Sequence, residues 1–176
     1  MIYLQPVAVV LFSMLVLSQP ALAVELGQLP PQVELQGKTG GRLDGTPWRS
    51  DELKGKVHVL FYVDPDEKDT NNQASEALDK EKFPVEKFQS VAVINMAATW
   101  MPNFAISMSV EEKQKRYPRT IYVRDYGKAL VGAWKIADDS SDILVFDRQG
   151  RLVFRKDGKL STDDIRTMIK AIKDNL

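Results

Sequence analysis

The sequence predicts an α/β domain built on a mixed β-sheet flanked by helices, and three stretches carry that expectation. Val57 to Val63 is an almost unbroken apolar and β-branched run, the pattern of a strand covered on both faces. A helical stretch and a second apolar run, Val91 to Ile94, follow it. Strand, helix, strand at this spacing implies a parallel pair joined by a crossover. Near the end, Ile143 to Phe146 and Leu152 to Phe154 flank Asp147-Arg148-Gln149-Gly150, which reads as an antiparallel β-hairpin.

The other elements follow in order. Val24 to Arg49 is rich in Gly and Pro, with Pro30-Pro31 and Gly40-Gly41 punctuating Val33 to Leu35 and Arg42 to Leu43; it is expected to form an N-terminal hairpin extension or strap at a sheet edge. Gly55-Lys56 launches the first core strand, and Asp64-Pro65-Asp66-Glu67-Lys68-Asp69 leaves it as a polar loop. A helix is expected from Thr70, with Ala74, Ala77 and Leu78 on one face. Ser109-Val110-Glu111-Glu112 has capping-box spacing, predicting a short helix there that Pro118 ends. Thr120 to Val123 reads as a third strand, and Asp125 to Lys128 as a tight turn into Ala129 to Ile136. After the hairpin, Lys156-Asp157-Gly158 turns the chain into a last helix, capped by Ser161, with Ile165, Met168, Ile169 and Ile172 spaced for one buried face.

Residues 1–23 contain no charged side chain, carry an apolar run from Val7 to Leu17, and end in Ala21-Leu22-Ala23. This predicts a signal peptide cleaved after Ala23, because the run is shorter than the roughly 20 residues a spanning helix needs. Residues 24–176 are then one exported, periplasmic domain with no membrane attachment after cleavage. They hold all 24 basic and all 24 acidic residues, so no net field draws in nucleic acid or anionic lipid. The absence of cysteine removes disulfide exchange, thiolate nucleophiles, zinc thiolates and iron-sulfur clusters. His58 is the single histidine, which excludes multi-histidine metal sites, and no cofactor is expected.

Two segments carry a resemblance. "LDGTPWRSDELKGKVHVLFYV" and "SDILVFDRQGRLVFRKDG" resemble the entry strand and the hairpin of thioredoxin-like domains in exported thiol oxidoreductases and peroxiredoxins. Trp48, Leu53-x-Gly55-Lys56-Val57, Asn71, Gly132-Ala133-Trp134, Ser140-Ser141, Asp147-x-x-Gly150-Arg151 and Lys156-Asp157-Gly158 with Leu160-Ser161 are similar, as a set, to the YtfJ family of small periplasmic proteins. Two departures mark a divergent branch. Val63-Asp64-Pro65 stands where that family has Ala-Gly-Arg, and Ala97-Ala98 where it has Asp-Asp.

The resemblance implies that Glu67, Lys68, Asp69 and Thr70 occupy the place of the redox Cys-x-x-Cys, where Glu67 and Asp69 suit capping of the helix start. It places Ser141 where relatives carry a cis-proline; a trans bond is expected before a serine, since cis costs roughly 3 kcal/mol there. Trp100 and Phe104 read as packing residues in a loop or, alternatively, as an exposed patch for a partner. The leading functional expectation is a non-catalytic binding or adaptor protein, whose partner is a periplasmic protein or small ligand of unknown identity. A second is a divalent-cation site drawn from Asp64, Asp66, Asp69, Asp138, Asp139 and Asp142. Local EF-hand coordination fails, because position 6 from Asp64 is Asp69 rather than Gly and position 12 is Ser75 rather than Glu. A third is a non-thiol hydrolase using Ser140 or Ser141, for which His58 inside a strand is a poor base.

Overall fold

In the computed structural model, residues 23–176 are described. The predicted leader therefore lies outside the described residues, apart from Ala23. The chain runs β1 (Glu34–Leu35), β2 (Gly40–Arg42), β3 (Trp48–Arg49), β4 (Val57–Val63), α1 (Asn72–Glu81), β5 (Phe88–Asn95), α2 (Asn103–Arg116), β6 (Thr120–Asp125), α3 (Ala129–Trp134), β7 (Ser141–Phe146), β8 (Leu152–Lys156) and α4 (Thr162–Asn175). Short 3-10 turns at Ser50–Leu53 and Pro65–Glu67 bracket β4.

Six strands form one mixed sheet in the order β2-β6-β5-β4-β7-β8. Strand β4 is central and pairs parallel with β5, which pairs parallel with β6. On its other side β4 pairs antiparallel with β7, and β7 with β8. Apolar residues alternate along β4 between two separate cores, which explains its continuous hydrophobic run. Val57, Val59 and Phe61 meet Ala74 and Leu78 of α1, Ile106 and Val110 of α2, and Met168, Ile169 and Ile172 of α4. Leu60 and Tyr62 meet Leu130 and Trp134 of α3, with Leu35 and Trp48 of the N-terminal strap. Val24, the first residue after the predicted cleavage point, joins this second core and donates its N–H to the Trp134 carbonyl at 3.0 Å.

The N-terminal extension is divided between two sheets. β1 and β3 make a separate antiparallel pair, while β2 adds an antiparallel edge strand to β6. Glycine permits this. Gly40 has φ +144, and a Cβ there would sit 2.0 Å from the Arg124 carbonyl oxygen, so only a glycine backbone can come this close.

Two helix starts differ from the sequence expectation. α1 begins at Asn72 rather than Thr70, because the chain first makes a 3-10 turn over Pro65–Glu67. α2 begins at Asn103 and covers 14 residues, placing Ser109 inside the helix instead of at its cap. Its buried contacts are Ile106 and Val110, one helical turn apart. Phe104 and Met108 point to solvent, which obscures the amphipathic pattern. At α4 the expected cap is present: Ser161 Oγ accepts from Asp164 N–H at 3.1 Å, and the Asp164 carboxylate accepts the Ser161 N–H at 2.9 Å.

Candidate functional site at the carboxyl end of the central strands

Parallel β4 and β5 bring their carboxyl ends to one side of the sheet, a common location for ligand sites in α/β folds. Asp64 follows β4 and Asn95 ends β5. The loop from Ala137 to Ser140 before β7 meets them, because Val63 is the register partner of Ser141.

Asp64 is 2% exposed. Its Oδ2 accepts the Ser140 N–H at 2.6 Å, while its Oδ1 is buried without a hydrogen-bond partner. Burial pushes the carboxyl up to about 6, against the lowering effect of the Ser140 N–H and the Asn95 amide. Asp64, Asp138 and Asp139 each contribute a carboxylate oxygen to a cluster in which these atoms lie within 4.8 Å of one another. Asn95 is fully buried, and its Nδ2 donates to Asp138 Oδ1 at 3.1 Å. Lys128 Nζ donates to Asp138 Oδ2 at 2.6 Å and holds that carboxyl below its ordinary value. Asp139 has φ 53, in the left-handed region.

The other predicted cation ligands go elsewhere. Asp66 is exposed. Asp69 is bound by Lys68 Nζ at 2.5 Å and Lys113 Nζ at 3.0 Å, and these bonds hold its carboxyl below the usual range. Asp142 is fully buried and turned away; its Oδ1 accepts from Ser140 Oγ at 2.6 Å and from Gly158 N–H at 3.0 Å. Desolvation raises the Asp142 pKa.

Glu67, Lys68, Asp69 and Thr70 lie between β4 and α1 and are largely engaged with one another. Thr70 Oγ1 donates to Glu67, and Lys68 pairs with Asp69. Neither Glu67 nor Asp69 caps α1, which has no acidic residue in its first turn; the intervening turn moves both ahead of the helix start. The residue at that start, Asn71, is 6% exposed. Its Nδ2 donates to the Ser141 carbonyl at 2.8 Å, Ser141 Oγ at 3.1 Å and the Gly158 carbonyl at 3.1 Å. Its Oδ1 accepts the Leu160 N–H at 3.0 Å. The described residues contain no cis peptide bond, so the bond before Ser141 is trans as expected.

Trp100 is 90% exposed and Phe104 70% exposed. The expectation that they pack inside a loop is corrected: Trp100 stands out from the loop and Phe104 from the first turn of α2, because Ile106 and Val110 already fill the space beneath the helix. Trp100 and Phe104 follow Asn95, the last residue of β5, and so stand at that end of the sheet; Met108 of α2 is exposed as well. His58 is buried, with Nδ1 3.0 Å from the Lys56 carbonyl oxygen. It is paired with Phe146, at the opposite end of β7 from Ser141. Five residues of strand, roughly 16 Å, separate it from Ser141, and Ser140 lies one residue farther, so neither serine pairs with His58.

A cavity of about 310 Å³ opens at the other end of the sheet, over Phe61, Leu78, Phe83, Phe88 and Tyr122. None of the candidate site residues lines it. Its cationic rim is already engaged: Lys113 with Asp69, Arg116 with Glu76, and Arg119 with the Phe83 carbonyl.

Sequence reasoning missed Asn95 and the linking role of Asn71. A polar residue closing an apolar strand run, as Asn95 does after Val91 to Ile94, was the available signal for the first.

The sheet, its flanking helices and the cysteine-free polar end define a thioredoxin-fold protein without a dithiol. Among solved structures, the thioredoxin domain of a thiol-disulfide oxidoreductase from Bacteroides vulgatus superposes with a TM-score of 0.60 at 16% identity, covering 88% of this chain and 100% of that one. Arabidopsis thaliana ScoI with copper bound gives 0.60 at 12% identity, covering 84% and 99%. The chain belongs to the YtfJ_HI0045 family, described as a bacterial protein of unknown function, whose pattern matches residues 29–175. Relatives include the uncharacterized protein YtfJ of Escherichia coli strain K12, 28% identical over 129 residues, with 72% of this chain and 70% of that protein covered. An uncharacterized protein of Haemophilus influenzae is 32% identical over 130 residues, with the same coverage.

Proposed function

We propose that this protein is an exported, non-catalytic binding protein that acts in the periplasm and engages a protein partner through Trp100 and Phe104. One observation carries the reading: two large aromatic side chains stand almost free of the fold beside the end of the sheet where thioredoxin-fold enzymes meet their substrates. Burying such side chains is worth about 1.5–3 kcal/mol each, and aromatic anchors of this kind dominate interfaces. The segment between β4 and α1 supports the same reading, since its side chains are tied to one another and include no sulfur. The apolar leader supports export.

The test is site-specific photocrosslinking at position 104 in the protein's own cells, combined with osmotic-shock fractionation. A discrete, reproducible adduct in the periplasmic fraction that disappears with Trp100→Ala is the expected result. No adduct, or an adduct indifferent to Trp100→Ala, overturns the docking face. Ester or phosphoester hydrolysis abolished by Ser141→Ala overturns the non-catalytic reading.

A further inference from the structure

We infer that Asp64, Asp138, Asp139 and Asn95 form a binding site for a hard divalent cation of the calcium or magnesium class. The site is independent of the docking face. Three carboxylates bring an oxygen each to within 4.8 Å of the others, and among the described residues the ion pair found with them is that of Lys128 with Asp138. Acidic clusters on loops are common without an ion, so the argument rests on what is buried beneath this one. Asp64 Oδ1 and Asn95 Oδ1 belong to side chains that are 2% and 0% exposed, and neither oxygen has a partner in hydrogen-bond geometry among the described residues.

Leaving a buried acceptor unsatisfied is costly. Turning the Asn95 amide over does not relieve it, because that would set the amide oxygen against Asp138 Oδ1, which Nδ2 now contacts at 3.1 Å. The unsatisfied carbonyl oxygen therefore belongs to a fully buried side chain whose amide nitrogen touches the carboxylate cluster. A cation seated among the carboxylates satisfies Asp64 Oδ1 and offsets the mutual repulsion of the three acids.

The donor set selects the ion. Every ligand atom the cluster offers is a carboxylate oxygen, and this set favours calcium, magnesium or manganese over zinc or copper. Asp138 and Asp139 are exposed, which leaves an entry path and room for water to complete the six to eight oxygens that calcium takes, as is typical. Two loops far apart in sequence supply the ligands, which is why no local loop motif announces them.

The test is isothermal titration of the purified, chelator-stripped protein with calcium chloride and magnesium chloride, with thermal melts in parallel. One ion per chain is expected to bind at least one of the two metals with Kd on the order of 10⁻⁴–10⁻³ M or tighter. Asp139→Asn, at an exposed position, is expected to weaken binding roughly tenfold or more while leaving the metal-free melting temperature unchanged. Lys128→Met removes the competing ammonium and is expected to tighten binding several-fold. Asp66→Asn, a neighbouring acid outside the cluster, leaves it unchanged. No saturable binding of either metal up to about 10 mM, or equal weakening by Asp66→Asn and Asp139→Asn, overturns the site.

Discussion

The Asn71 side chain donates to the Ser141 carbonyl at 2.8 Å across 70 residues of sequence, joining the start of α1 to the start of β7. The same amide reaches the Gly158 carbonyl and the Leu160 N–H, so one buried residue holds three segments at the end of the sheet that carries the cation cluster. A helix N-cap asparagine usually spends its side chain on its own helix. Here it is spent on distant backbone.

Asn71→Ala is expected to destabilise the protein by about 2–4 kcal/mol, because it leaves buried carbonyls and an N–H without partners. Asn71→Asp should cost at least as much, since a carboxylate cannot donate to the Ser141 and Gly158 carbonyls. Urea denaturation at neutral pH measures both; a loss under about 0.5 kcal/mol for Asn71→Ala would show that water replaces the clip.

Gly40→Ala should destabilise by about 2–4 kcal/mol through overpacking against the Arg124 carbonyl and displacement of the edge strand. Gly45, with φ +85 and open space around it, provides the comparison: Gly45→Ala carries only backbone strain, about 1 kcal/mol. Thermal melts of the two variants side by side separate close approach from conformational preference.

Asp64 gives a pH dependence with a definite sign. Its carboxyl is near the ordinary value of 3.8 when the chain is unfolded and is pushed up to about 6 in the fold. Between those values the folded state keeps a proton that the unfolded state has lost, so stability falls as pH rises through the window. Asp64→Asn removes this component. In chelator-containing buffer its stability relative to the parent should improve from about pH 4 to about pH 7 by on the order of 1–3 kcal/mol. His58 has the opposite sign: burial lowers its pKa from 6.5, so its contribution is lost as pH falls. Comparing each single variant with the parent by denaturant titration across pH isolates the two, and a flat difference for Asp64→Asn would refute the first.

Trp100→Ala and Phe104→Ala should change the unfolding free energy by no more than about 0.5 kcal/mol, as exposed positions do. Their crosslinking yield should fall sharply. A large stability loss measured by urea titration would show instead that both residues serve the fold.

Much of the fold was legible because it rests on local patterns. The apolar run of β4, the hairpin turn at Asp147–Gly150 and the capped, one-faced helix α4 are set by neighbours in sequence, and each forms near its expected place. The start of α2 was not legible, because two of its apolar residues face solvent and confuse the periodicity. Of the six acidic residues singled out from the sequence, Asp64, Asp138 and Asp139 come together from two facing loops. The other three stand apart: Asp66 is exposed, Asp69 is captured by Lys113 from α2, and Asp142 is turned toward Gly158.

The sequence by itself determined the chemistry this protein lacks and the alternation that builds its sheet, since composition and short-range periodicity need no knowledge of distant contacts. Only the tertiary structure decided which polar side chains meet. Pairing at the end of the sheet depends on strand register and on the path of loops separated by up to 89 residues, and the desolvation that leaves Asp64 and Asn95 wanting a partner exists only once those segments have closed over them.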